Sequence, residues 1–199
     1  MSMNAAQKKL LIILALFFVP LAIAMVWYSL LPANYQPDST TNNGNLVLPV
    51  YPLQAFEQTD KDGQPYTLKN LEMKWTLVHL IGDNCDEACS KQLYNTRQIR
   101  IALAEDIERV NRLALVSSEQ VAADNERMWA SHPDLAVVID ASGGVAEQIR
   151  SHTAAQAYPA HSIFLIDPLG NLMMQFSPDL DPKLLMKDLE KLLKLSHIG

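Results

Sequence analysis

Apolar residues are distributed in two regimes along this chain. From Leu10 to Leu31 they form an uncharged run of 22 residues. From Val50 onward they come in short blocks parted by polar, Gly-bearing and Pro-bearing segments. The first regime is long enough to cross a hydrocarbon core of about 30 Å, and it predicts a transmembrane helix at 10–31. Pro20 within it is compatible with a membrane helix, and Trp27 and Tyr28 suit an interface. The second regime predicts a folded domain at 50–199. Between them, 32–49 (PANYQPDSTTNNGNLVLP) is polar and rich in Asn, Thr and Pro, and predicts a tether. Residues 1–9 remain as a short N-terminus.

Inside the domain the blocks resolve into elements. Leu53–Gln58 and Tyr66–Leu68 flank Thr59-Asp60-Lys61-Asp62-Gly63-Gln64, a hairpin signal built on Asp-Gly. A continuous apolar strand is predicted at Trp75–Ile81, then a helix from Ser90 to about Ile107. Strand 112–116, helix 122–131 (stopped by Pro133), strand 134–140 and helix 143–152 follow. A strand at 161–167 turns through Pro168-Leu169-Gly170-Asn171 into strand 172–176. The last helix has Asp181 as cap, Pro182 at its first position and a Leu185, Leu189, Leu192 stripe. Continuous apolar strands alternating with helices predict a parallel sheet covered on both faces, with an antiparallel hairpin at one end. The expected fold class is α/β: a thioredoxin-like central mixed sheet with helices on both faces, preceded by one transmembrane helix.

Charge adds an orientation. Lys8 and Lys9 precede the long apolar run, and no Lys or Arg follows before Lys61. The positive-inside rule leaves the N-terminus in the cytoplasm and exports the rest. Ala22-Ile23-Ala24 resembles a signal-peptidase site, but the apolar run continues seven residues beyond it, which favours an anchor. Residues 32–199 hold 14 basic and 22 acidic side chains, a formal charge of −8. That balance argues against a nucleic-acid or anionic-lipid partner. It suits a cation or a basic protein.

The candidate chemistry sits where the first long strand breaks. Ile81-Gly82-Asp83-Asn84-Cys85-Asp86-Glu87-Ala88-Cys89 holds both cysteines of the chain as C-x-x-x-C, leading into a helix. Helix N-terminal amides favour thiolates, and an i, i+4 spacing would put both sulfurs on one helix face. Asp86 and Glu87 oppose thiolate formation by like charge and favour a bound cation. Two cysteines are too few for a disulfide scaffold in a domain of this size. The pair is therefore a structural bridge, a redox couple or a metal site, and the residues alone leave these open.

This chain resembles the Sco (SenC-like) proteins, copper-binding assembly factors for the CuA site of cytochrome c oxidase. The features that carry the resemblance are an apolar anchor, a thioredoxin-like order, a strand–C-x-x-x-C–helix unit and a later His161-Ser162…Leu165-Ile166-Asp167-Pro168-x-Gly170 strand. It spans about residues 50–195, and more narrowly is similar to small proteobacterial inner-membrane proteins associated with oxidase assembly. It implies a single-pass protein of the bacterial inner membrane with its C-terminal domain in the periplasm. It also implies copper held by Cys85, Cys89 and His161, and as partner a cytochrome c oxidase subunit or its assembly factors. The pattern departs from the family at Asp86 and Ser90, where Sco proteins usually carry proline, and at Ala160, where they usually carry aspartate. The run from His161 to Asp167 is also about two residues shorter. A shift of two preserves strand parity, so His161 is expected to keep its face. Pro159 or His161 falls near the position of the thioredoxin cis-proline.

Other residues read more plainly. His79 is expected in the core, and His132, His152 and His197 in solvent. Adjacent Met173 and Met174 point to opposite strand faces, which reads as core filling. Arg97, Arg100, Arg109 and Arg112 are expected on solvated faces or in ion pairs. No nucleotide loop, Ser-His-Asp set or paired-carboxylate hydrolase signal is visible. Three functions follow: a copper carrier using Cys85, Cys89 and His161; a thiol–disulfide oxidoreductase keeping a partner's metal-binding cysteines reduced, with Cys85 attacking and Cys89 resolving; and a non-catalytic assembly partner with a structural disulfide.

Overall fold

The structure, a computed structural model, describes residues 4–30, 41–153, 160–196 and 198. Two units separate along the chain, 1–40 and 41–199. In the first, helix α1 (Ala5–Leu30) contains Pro20, buries none of its residues and is long and apolar enough to cross a membrane. Its start is closed by a reciprocal cap: Gln7 donates its amide to Asn4 Oδ1 at 2.9 Å, and Asn4 donates its own to Gln7 Oε1 at 3.0 Å.

The second unit is built on one eight-stranded sheet. Its strands are β1 (Asn45–Pro52), β2 (Glu57–Asp60), β3 (Pro65–Thr67), β4 (Trp75–Ile81), β5 (Val110–Val116), β6 (Leu135–Ile139), β7 (Ile163–Ile166) and β8 (Asn171–Phe176). Their order is β1-β8-β7-β4-β5-β6-β2-β3. Strands β4, β5 and β6 pair in parallel; on one side β7, β8 and β1 continue the sheet with every neighbouring pair antiparallel, and on the other β2 pairs antiparallel with both β6 and β3. The sheet is thus mixed as expected, but antiparallel strands border it at both ends rather than one. The unexpected border strand is β1, whose Asn45–Pro49 segment was assigned to the tether. Its apolar residues alternate too weakly to read as a strand, and pairing with β8 decides it.

Among the described residues, five helices cover the sheet: α2 (Glu87–Ala102), α3 (Glu119–Asp124), α4 (Glu126–Ala130), α5 (Gly144–His152) and α6 (Pro182–Leu195). The alternation of β4 and β5 sorts their side chains. Val78, Leu113 and Leu115 pack with Val145 and Ile149 of α5. On the other face Leu77 joins Ile99 of α2 and Leu185, Leu189 and Leu193 of α6, while Ile81, Ala114 and Val116 join Cys89, Leu93, Val121 and Trp129. Met174 lies in this core as expected.

Three further boundaries differ from expectation. Helix α2 stops at Ala102, where Leu103 caps it and Ala104 takes a positive φ of 51°; a 3-10 segment, Ala104–Arg109, completes the stretch assigned to one helix. The helix expected at 122–131 is two short ones, broken at Asn125. In α6 the buried stripe continues through Leu193, four residues after Leu189, while Leu192 is only partly covered.

Candidate dithiol site

Strand β4 delivers the chain to the cysteine turn at the carboxyl end of the parallel strands. Ser117 Oγ, just past β5, donates to the Gly82 carbonyl at 3.0 Å and steadies the exit. Asp86 then caps α2: its backbone is extended and its Oδ1 accepts the Cys89 amide at 2.9 Å. Cys89 is therefore in the first turn, whereas Cys85 precedes the cap and is not helical. A shared helix face thus does not bring the sulfurs together. The cap reverses the chain, leaving the two Cα atoms 5.2 Å apart, and the cysteines are joined as a disulfide. Cys89 is buried at 4% exposure among Leu93, Ala114 and Val121, and Cys85 packs half-buried at the margin.

His161 comes to the same turn. Its Nε2 lies 3.4 Å from Asp86 Oδ1, the oxygen that caps the helix. The expectation that His161 lies on a strand, aimed by parity, is corrected: β7 begins at Ile163, and His161 occupies a turn with φ of 68°. A left-handed backbone, uncommon for a residue other than glycine, replaces strand register in placing the ring. Asp86 is held below the ordinary carboxylate range, first by the Cys89 amide and further by the neighbouring His161. Pro159 and His197 lie outside the described residues.

Beneath α2 lies a polar network that the sequence did not disclose. Arg112 is in an ion pair, one of the two expected states, but it is fully buried, and its guanidinium spends its donors on three acceptors. Nη1 reaches Asp134 Oδ2 at 3.0 Å, Nε reaches Thr96 Oγ1 at 3.1 Å, and Nη2 reaches the Leu93 carbonyl. Thr96 also bonds His79 Nε2 at 3.0 Å. His79 is the expected core histidine, its pKa pushed down to about 3 by burial, with Arg112 and His132 adding to the effect. His132, expected in solvent, is buried, and its Nδ1 finds no hydrogen-bond partner. Burial and the Arg112 and Arg97 charges lower its pKa. His152 is exposed as expected and stacks on Tyr51. The only prior signal of the network is period two: Arg112 shares a strand face with Ala114 and Val116, which point to α2.

The donor chemistry suits a soft cation: the cysteine turn offers two sulfurs, and the imidazole of His161 lies against its Asp86 cap. Cysteine ligands must be reduced and deprotonated, so the closed disulfide has to open first. Among the described residues no three His, Cys, Asp or Glu side chains are arranged to hold a metal as the structure stands.

A mixed sheet with helices on both faces and a disulfide at the capped start of α2 defines a thioredoxin-like domain. The chain belongs to the family described as transmembrane-like, thioredoxin-like, C-terminal domain, which matches residues 75–196. No curated protein sequence matches it. Among solved structures it is similar in fold to Bradyrhizobium japonicum ScoI with copper bound, at 22% identity and TM-score 0.55, covering 69% of this chain and 97% of that one. It is likewise similar to apo Sco1 from Thermus thermophilus, at 19% identity and TM-score 0.61, covering 78% and 99%. A third is BsSco, a member of the Sco family of cytochrome c oxidase assembly proteins in which a disulfide switch was identified. There the identity is 15% and the TM-score 0.59, covering 79% and 100%.

Proposed function

We propose that this protein is a membrane-anchored, Sco-like copper carrier that faces the periplasm from a bacterial inner membrane and assists assembly of the CuA site of cytochrome c oxidase. One observation carries the reading: Cys85 and Cys89 meet at the capped start of α2, and the Asp86 cap also contacts His161. An external dithiol opens the disulfide by thiol–disulfide exchange, leaving Cys85 and Cys89 as thiols and itself oxidised to a disulfide. Cys85 and Cys89 then supply two sulfurs as thiolates, His161 supplies a nitrogen, and copper is the cargo they take. The fold shared with copper-bound ScoI supports this.

The test is an anaerobic titration of the reduced full-length chain, purified in detergent, with Cu(I) against a competing chelator. One equivalent is expected to bind tightly. Cys85→Ser or Cys89→Ser should nearly abolish binding, since each leaves a single sulfur. His161→Ala should weaken it by a smaller margin and alter the Cu(II)–thiolate charge-transfer spectrum.

A second reading, the oxidoreductase, is favoured by the unequal burial of the cysteines. Half-buried Cys85 can attack a partner's disulfide and release one partner thiol; buried Cys89 then attacks Cys85, releases the second, and leaves the Cys85–Cys89 disulfide. An external dithiol resets the pair. Cys89→Ser would then trap mixed disulfides through Cys85. If wild type binds no copper yet cycles with a dithiol, this reading replaces the carrier. A reduction potential below about −300 mV would mark the bridge as structural instead.

A further inference from the structure

We propose that Asp86 is a positioning residue for His161, tying the imidazole through Nε2 to the cap of α2 beside the cysteine pair. His161 precedes β7, so no ladder bond of that strand fixes its side chain, and its left-handed backbone sets only where the side chain departs. Orientation therefore has to come from a side-chain contact. Asp86 supplies it at 3.4 Å, between its Oδ1 and His161 Nε2.

Asp86 is suited to this because its own position is fixed. The Cys89 amide donates to the same Oδ1 at 2.9 Å, and the extended cap backbone sets the departure of the side chain. One oxygen thus links the imidazole to the peptide group of a cysteine, and the ring moves with the turn that carries the sulfurs. Histidines that bind metal commonly donate their second ring N–H to a carboxylate, which fixes ring orientation and raises ligand basicity. On this proposal the ring proton sits on Nε2, facing Asp86, and Nδ1 is the nitrogen that keeps a free lone pair. The orienting step needs neither metal nor reduced cysteines, because the contact is made with the disulfide closed. Only the consequence for copper rests on the function proposed above.

The bland alternative is that Asp86 is a helix cap and nothing more, and Asp86→Ser separates the two. Serine caps a helix well but is too short to reach the imidazole. In the metal-free, oxidised full-length chain in detergent, with 15N-labelled histidine, we expect a His161 Nε2–H resonance protected from water exchange. Asp86→Ser should abolish that resonance while the far-ultraviolet circular dichroism is unchanged. In the reduced chain, Asp86→Ser should weaken Cu(I) binding about 10- to 100-fold, the usual loss for an outer partner of a ligand. The double variant Asp86→Ser/His161→Ala should bind no more weakly than His161→Ala alone, because Asp86 acts through His161. The proposal is overturned if wild type lacks the protected resonance, if Asp86→Ser retains it, or if the two losses multiply in the double variant. A wild type that binds no copper would sink the carrier reading, while the resonance still decides the role of Asp86.

Discussion

Arg112 shows how much a single side chain can impose on this domain. Its charge is fully buried, and burial depresses its pKa while Asp134 supports it. Breaking such a pair by removing one partner strands a charge, which costs about 3–5 kcal/mol; replacing both with apolar residues of similar volume is often nearly neutral. Asp134→Ala should therefore destabilise the protein to about that extent in urea unfolding, and Arg112→Met/Asp134→Leu should recover most of the loss. His79 gives the same network a pH dependence. Its folded pKa of about 3 lies below the ordinary histidine value of 6.5, so the unfolded chain binds the proton first. The stabilisation is complete above about pH 6.5 and is lost as pH falls towards 3. The slope is at most about 1.4 kcal/mol per pH unit for one proton. Unfolding followed from pH 8 to pH 4 should show the decline beginning near 6.5, and His79→Gln should make it shallower, the remainder coming from His132.

At the scale of elements, the docking of β1 depends on α6. Asp188 is buried on α6, and its carboxylate accepts the backbone amides of Asn43 and Gly44 at 2.8 and 2.9 Å, together with the Asn43 side-chain amide at 2.8 Å. The chain can pass there only because residue 44 lacks a side chain: a Cβ would stand 2.4 Å from Phe176 Cε1. Asp188→Ala leaves those amides without their acceptor, at a cost of about 1–3 kcal/mol per buried donor left unsatisfied. The expected result is a stability loss of that order. Hydrogen exchange should quicken first at residues 43–47, with protection in β4 and β5 retained.

At the scale of the whole molecule, the cysteine turn lies at the carboxyl ends of β4 and β5, where open α/β sheets characteristically place their ligands. On the proposed reading, the orientation of α1 in a membrane decides which compartment that site serves. With Lys8 and Lys9 ahead of α1 and no basic residue until Lys61, an alkaline phosphatase reporter fused after residue 199 should be active. A reporter that works only in the cytoplasm should be silent at the same position. The mature chain should keep its N-terminus and remain in the membrane after a carbonate wash. Release of a chain beginning near Met25 would show that the apolar segment is a signal peptide.

Much of this was determined by the sequence alone, wherever the physical cause is local. The apolar run of α1, the seven-residue block of β4, the Asp-Gly hairpin and the Asp181–Pro182 start of α6 each express their structure within a few residues. The same holds for the C-x-x-x-C that follows Gly82. Tertiary structure decided what depends on residues far apart in the chain. Strand β1 exists because β8 lies beside it, and Arg112 is buried because Thr96 and Asp134 together satisfy a charge that its own segment could not. His161 is held beside Asp86 by a left-handed turn rather than by strand parity, and Cys85 reaches Cys89 around a helix cap rather than along a helix face. A one-residue difference between strand and turn, or between helix and cap, redirects a side chain completely. The resemblance could therefore place the candidate residues near one another, but only the folded chain assigned their contacts.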